Sequence, residues 1–396
     1  MFRKLFLAAA GLLAAAAVGL AQQPFPGDSA RTLICGMPYL QNMTPDGVSV
    51  MFQSTCSVHS WVEVGRDSLH VDTVRQLFCG QEVVHDAEHR IRLNGLTPGA
   101  TYYYRVCTQK IELNQAYKKV FGRTERTPFR RFTLPTDTAT HFTLLVFNDM
   151  HCQPQVMDAM ARLAAQTPHE LVIFNGDCLP EPRDRQEAIA NIQNLVRRFD
   201  AGQNPCVFMR GNHEIRNAYS SGMPTLFDYG TDGETYHTIR WGDTYLVMLD
   251  CGEDKPDNTW VYYGLNDFDA FRKAQADFLE KTIATREYRK AKRHIVVHHI
   301  PLWFSNEEKD PGGASRFCRA LWTDVLTKAK VDLGINGHTH RFEYYEPGQQ
   351  GNLYPTVIGG GPSLKSATMT VVEKRGKVMR VKAVNANGET VFEKTL

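Results

Sequence analysis

No Cys-x-x-Cys pair occurs anywhere in the chain, although it has nine cysteines, and that absence argues against a zinc ribbon. The odd count leaves at least one cysteine without an intramolecular partner, and the wide spacing lacks the density of a disulfide scaffold. An excess of either charge is missing too: Lys and Arg total 45 against 43 Asp and Glu. Such a chain has no electrostatic footprint for nucleic acid or for an anionic membrane, so an anionic substrate must be attracted locally. Long apolar runs are confined to residues 5–20, and no later segment is apolar enough to span a bilayer. Internal repeats are absent, as are low-complexity stretches outside that run. With 42% hydrophobic and 22% charged residues the chain has a globular composition, and 396 residues suffice for two or three domains.

The one apolar run has the layout of a targeting segment. Arg3 and Lys4 precede it, and Gly19 and Ala21 place small residues where a signal peptidase reads. This predicts a signal peptide over residues 1–21, cleaved after about Ala21, and a secreted or periplasmic protein without a stable membrane span. An uncleaved anchor is the alternative, and the run is at the short end for one. Cleavage removes two positive charges and leaves 43 of each sign.

Two patterns follow in turn. Residues 30–135 read as β-structure. Val48 to Phe52 and Trp61 to Val64 alternate like half-buried strands. Pro98-Gly99 makes a turn, and the aromatic strand Tyr102-Tyr103-Tyr104-Arg105-Val106 follows. Tyr102 is the candidate for a corner tyrosine that hydrogen-bonds back to the backbone. This segment resembles a fibronectin type III-like domain. Together with Pro38-Tyr39-Leu40-Gln41-Asn42 it resembles the N-terminal domain of purple acid phosphatases. A linker is expected over residues 134–140. From about residue 141 to 396 apolar strands alternate with amphipathic helices, which predicts an α/β core.

Five of those apolar strands end in polar clusters: Asn148-Asp149-Met150-His151, Asn175-Gly176-Asp177, Gly211-Asn212-His213-Glu214, His298-His299-Ile300-Pro301 and Asn336-Gly337-His338-Thr339-His340. Ligands of α/β sheets bind at the carboxyl ends of strands, so five such ends converge on one cavity. Carboxylate, imidazole and amide oxygen suit zinc, manganese or iron. Seven candidate donors exceed one tetrahedral site and suffice for two divalent ions if one carboxylate bridges. Such a pair clamps an in-line phosphoryl displacement and generates a bridging hydroxide. Taken singly, each motif reads equally well as a turn or a pair of satisfied histidines; the ordered set does not.

The set resembles the motifs of calcineurin-like metallophosphoesterases, D-x-H, G-D, G-N-H-[DE], H-x-P and G-H-x-H, over roughly residues 142–345. The resemblance implies a four-layer α/β sandwich, two mixed sheets flanked by helices, with a dimetal centre at its edge. It implies that Asp149, His151 and His340 hold one metal, that Asn212, His299 and His338 hold the other, and that Asp177 bridges. His299 rather than His298 is implied because it lies two residues before Pro301. His213 is implied as the acid that protonates the leaving oxygen or stabilises the equatorial charge.

The chain departs from two branches of the superfamily. Purple acid phosphatases carry Tyr three residues after the bridging Asp and lack the His of the first motif; here Pro180 and His151 stand at those positions. Protein phosphatases carry Asp at the position of Pro180, where it orients the catalytic His. That leaves Glu181 and Glu214 as alternatives for the same task. Cys152 and Cys178 read as buried packing residues beside the ligands. His59, His70, His85 and His89 read as surface or packing residues, and residues 359–362 as a turn. The function these residues predict is an exported phosphoesterase acting on a small phosphate monoester or diester. A nuclease and a non-catalytic envelope binding protein are the alternatives; the balanced charge opposes the first and the intact donor set opposes the second.

Overall fold

The computed structural model describes residues 32–84, 87–231, 233–309 and 313–396. The expected signal peptide and His85 lie outside the described residues. Among the described residues no helix is long and apolar enough to cross a membrane.

Besides a short two-stranded sheet, Leu77–Phe78 with Gln81–Glu82, the N-terminal β region has two larger sheets. Ile34–Thr44, Gly47–Ser54 and Glu88–Leu93 form one; Arg130–Thr133, Thr101–Gln115, Val58–Gly65 and Asp72–Arg75 form the other, with Lys118–Arg126 also paired to Thr101–Gln115. Inward residues such as Val50, Phe52, Val62, Ile91, Tyr104 and Val106 make the core between them. The Thr97 N–H donates to the Tyr102 hydroxyl at 3.0 Å, the contact expected of a corner tyrosine.

The strand Val58–Gly65 is half-buried as its alternation predicts. Gly47–Ser54 is not: all eight residues are buried. Its second face does not meet solvent, because Met51 and Tyr39 join the core under the helices of the α/β region. The Tyr104 hydroxyl donates to the Gly202 carbonyl at 2.7 Å and the Leu40 N–H to the Ala201 carbonyl at 2.9 Å, so the two regions are docked. The expected linker is packed as well. Leu134 is buried, and the Asp243 N–H donates to the Ala139 carbonyl.

The rest is the expected four-layer α/β sandwich. One six-stranded sheet runs Cys206–Met209, Leu171–Asn175, His141–Phe147, Thr368–Arg375, Val378–Asn385, Thr390–Thr395. The other runs His237–Trp241, Thr244–Leu249, Arg293–His298, Leu333–Asn336, Thr356–Ile358, Glu343–Tyr345. Alternate residues explain the layering. Leu144 and Val146 point into the core between the sheets, whereas Leu145 and Phe147 pack under the helices Pro154–Gln166 and Arg185–Arg198. The second sheet is covered by Phe268–Ala284 and Ala314–Ala329. Strands buried on both faces carry continuous apolar runs, which is why they were legible. The three strands of the first sheet that precede motifs are mutually parallel, as are the two of the second. Within each sheet the motifs therefore leave in the same sense.

Candidate metal centre

The five strand ends bring the donors together in two groups that share a residue. Asp149, His151, Asp177 and His340 form one; Asp177, His299 and His338 form the other, and within each group the donor atoms lie within 4.8 Å of one another. Asn212 joins the second group through Oδ1, 3.0 Å from His338 Nδ1.

Backbone groups aim the carboxylates. Asp149 uses Oδ2 to accept the His338 N–H at 2.8 Å, and Asp177 uses Oδ1 to accept the His213 N–H at 2.9 Å. The other oxygens face imidazoles. Asp149 Oδ1 lies 3.4 Å from His340 Nε2 and 3.8 Å from His299 Nε2. Asp177 Oδ2 lies 3.2 Å from His299 Nε2 and 3.9 Å from His151 Nε2. The His299 ring donates Nδ1–H to the Asn175 carbonyl at 2.9 Å, which turns Nε2 toward the centre.

The turns that deliver these side chains are tight. Asp149, His151, Asp177, His338 and His340 all have positive φ, between 45° and 72°. Each such residue costs on the order of 1 kcal/mol, and it persists only where the surroundings hold it. Space explains two glycines. A Cβ on Gly176, itself at φ +84°, would sit 2.5 Å from the His299 ring, and one on Gly211 would overlap Asp177 Oδ1.

Burial sets the electrostatics. Asp149 and Asp177 are 0% and 1% exposed, and their ionic partners are all imidazoles. Burying a carboxylate costs several kcal/mol unless opposite charge offsets it. Burial pushes the Asp177 pKa up, but His299 and His213 outweigh it and hold the carboxyl well below the usual range. Burial pushes His299 down, yet Asp177 and Asp149 pull it above the ordinary histidine value. Burial lowers His151 and His338 against those same carboxylates, which favours the neutral form that metal ligation needs. Two buried atoms, Asp149 Oδ1 and His299 Nε2, have no hydrogen-bond partner. A divalent cation among them satisfies both, so the donor set fits metal chemistry.

The structure separates the two carboxylates that the sequence left open. Glu181 Oε1 lies 2.7 Å from His213 Nδ1, while His213 Nε2 lies 3.8 Å from Asp177 Oδ2. Glu214 instead accepts the N–H groups of Asp177, Leu179 and Gly211 at 2.9, 2.9 and 2.7 Å. It clamps two ligand loops together. His298 points away from the donors: Nδ1 contacts the Ile300 carbonyl at 2.8 Å, and burial pushes its pKa down to about 4. Cys178 is fully buried and packs under the helices with the partly buried Cys152. Gly360 and Gly361 back the site, against Asn148 and the His340 carbonyl.

Sequence reasoning gave no role to the asparagines that precede three motifs. Asn175 Nδ2 donates to Asn148 Oδ1 at 2.8 Å and to the His298 carbonyl at 3.3 Å, and Asn336 Nδ2 donates to the same carbonyl at 2.8 Å. These amides tie the strand ends of both sheets. The signal was their recurrence at the last position before or within the turn.

Two mixed sheets flanked by helices thus carry paired donor groups at the carboxyl ends of their strands. The Calcineurin-like phosphoesterase family model matches residues 142–342, and the chain belongs to that family. It is similar to the serine/threonine-protein phosphatase CPPED1 of Rattus norvegicus, 26% identical over 165 residues that cover 41% of this chain and 50% of the relative. It is also similar to purple acid phosphatase 15 of Arabidopsis thaliana, 22% identical over 329 residues that cover 73% of this chain and 56% of the relative. The chain thus spans about half the length of the curated relatives it matches. In fold it resembles purple acid phosphatase PPD1 of yellow lupin, with a TM-score of 0.68 at 16% identity over 90% of this chain and 73% of that one. That share is too large for the α/β region alone, so the likeness extends over the N-terminal β region.

Proposed function

We propose that the chain is an exported dimetal enzyme that hydrolyses a small phosphate monoester or diester. Asp149, His151 and His340 hold one ion, Asn212, His299 and His338 hold the other, and Asp177 serves both. The observation that carries this reading is the membership of Asp177 in both donor groups. When bound, two divalent ions polarise the phosphoryl oxygens and supply a nucleophile at neutral pH. Zinc, manganese and ferrous iron suit a set rich in imidazole nitrogen.

The chain's own residues do the rest. His213 carries a proton on Nε2 and delivers it to the leaving oxygen, and Glu181 holds the ring by contact with Nδ1. Glu214 fixes the spacing of the Asp177 and Asn212 loops through three backbone N–H groups. Export is supported by Arg3, Lys4, the apolar run and the small residues Gly19 and Ala21. We read residues 1–21 as the signal peptide, 30–135 as a fibronectin III-like domain and 141–396 as the phosphoesterase domain.

Metal analysis together with hydrolysis of a chromogenic phosphate ester tests the reading. Two ions per chain and turnover that depends on added manganese, zinc or iron are expected. One ion at saturation, or no hydrolysis with any of the three, would remove it.

A further inference from the structure

Beside the donors the surface opens into a cavity of about 970 Å³, within the size range of small-molecule sites. None of the donors lines it, but part of its wall lies close to them along the chain. Residues 215–218 line it, directly after His213 and Glu214, and Arg210 lines it just before the Asn212 turn. The Arg216 N–H donates to the His213 carbonyl at 3.3 Å, so the chain passes from centre to cavity within one turn. The facing wall lies between the strand Thr244–Leu249 and the start of the helix Phe268–Ala284, and carries Val261, Tyr263, Leu265, Phe268 and Phe271. Tyr263 is 80% and Leu265 87% exposed. Exposed apolar side chains clustered at a cavity mark a contact surface.

The cationic side chains of this wall are already matched. Arg210 pairs with Asp250 at 2.8 Å, Arg216 with Glu253 at 2.7 Å and with Asp254 at 3.0 Å, and Lys255 with Asp254 at 2.6 Å. Asp250 and Glu253 are buried, so pulling a cation away from them leaves an unpaired buried charge. The cavity therefore offers apolar surface without a spare cation, and a second phosphate gains nothing there.

We infer that this cavity receives the alcohol portion of the phosphate ester, and that this portion is a bulky, uncharged aromatic group. The inference rests on the reading of the adjacent centre as a phosphoesterase. It makes Val261, Tyr263 and Leu265 the specificity determinants of this cavity.

The test compares 3-phenylpropyl phosphate with ethyl phosphate. Both release a primary alcohol, so the ratio of their kcat/KM values reports contact with the group rather than its acidity. The full chain is expected to prefer the phenylpropyl ester by about tenfold or more, and the double variant Tyr263→Ala/Leu265→Ser to lose most of that preference. Both side chains are exposed, so the variant should fold. No preference in the parent, or a preference that the variant keeps, overturns the inference. Calorimetry with 3-phenylpropylphosphonate and ethylphosphonate, which are not hydrolysed, reads the same contact without turnover. Tighter binding of the phenylpropyl compound that the variant loses supports the cavity assignment, and equal or absent binding overturns it. Failure to hydrolyse either ester removes the phosphoesterase reading, and the phosphonate comparison then decides the cavity by itself.

Discussion

His89 in the N-terminal β region and His299 in the α/β region are each 1% exposed, yet they meet opposite surroundings. His89 stacks on Phe52 at 4.6 Å and 14°, and its Nε2 lies 2.9 Å from the Ser54 hydroxyl. Burial, helped by Arg185, pushes its pKa down to about 4. His299 faces two buried carboxylates, and its Nε2 has no hydrogen bond. The backbones differ likewise. Left-handed residues other than glycine are Asn42 and Cys79 in the β region, against five of the seven proposed ligands in the α/β region. The protein alone satisfies the first histidine; the second is left with a demand that a cation meets. At the donor edge five left-handed residues coincide with the unpartnered Asp149 Oδ1 and His299 Nε2.

The largest effect should come from Asp177→Ala, because it removes the residue common to both groups. Turnover should fall on the order of a thousandfold, and elemental analysis should show both ions lost or weakened. Retention of two tightly held ions would separate Asp177 from the bridging role and blur the contrast with the β region.

His213→Ala should cost about a hundredfold in turnover while metal content stays near that of the parent. The loss should shrink for esters with good leaving groups, which need no proton. An equal loss for good and poor leaving groups would remove the acid role. Glu181→Gln should follow in the same direction with a smaller loss, roughly tenfold, since it alters the partner and not the proton donor. A Glu181→Gln enzyme that matches the parent across pH would show that the contact at 2.7 Å does not position His213.

The β region should answer to acid instead. The folded-state pKa of His89 is depressed below the ordinary value near 6.5, so the folded chain binds fewer protons than the unfolded one. Its stabilising share is complete above about pH 6.5 and is lost as the pH falls toward about 4, up to roughly 3 kcal/mol. His237 and His298 are pushed to about 4 as well, and add to the same slope. Urea unfolding of His89→Gln should show a shallower fall in stability between pH 6.5 and 4, with neutral-pH turnover near that of the parent. A slope identical to the parent's would mean that His89 is not held neutral in the folded state.

The smallest expected signal is a missing one. Pro180 stands where purple acid phosphatases place the tyrosine, and Tyr262 and Tyr263 line the neighbouring cavity. Iron-loaded protein should therefore show no tyrosinate absorption in the visible range. A band that disappears on a Tyr→Phe change would bring one of those tyrosines into the centre.

Much of the architecture was legible because each clue was local. A strand buried on both faces needs a continuous apolar run, as in residues 142–147, and a ligand turn needs its donors within a few residues. Gly47–Ser54 was misread as half-buried for the complementary reason. Its second face is covered by a region more than a hundred residues away, and no local pattern reports that.

The sequence by itself determined the donor types, their order along the chain and the alternation that builds the four layers, since these follow from side-chain chemistry and periodicity. Only the tertiary structure decided which carboxylate serves which task. His151 and His340 are 189 residues apart, yet their Nε2 atoms lie 3.3 Å apart, and Asp177 belongs to both groups only because parallel strands of two sheets end at one edge. Glu181 and Glu214 are interchangeable on paper. Folding turns one toward His213 and buries the other under three backbone N–H groups, because position in space, not residue type, sets which donor each carboxylate can reach.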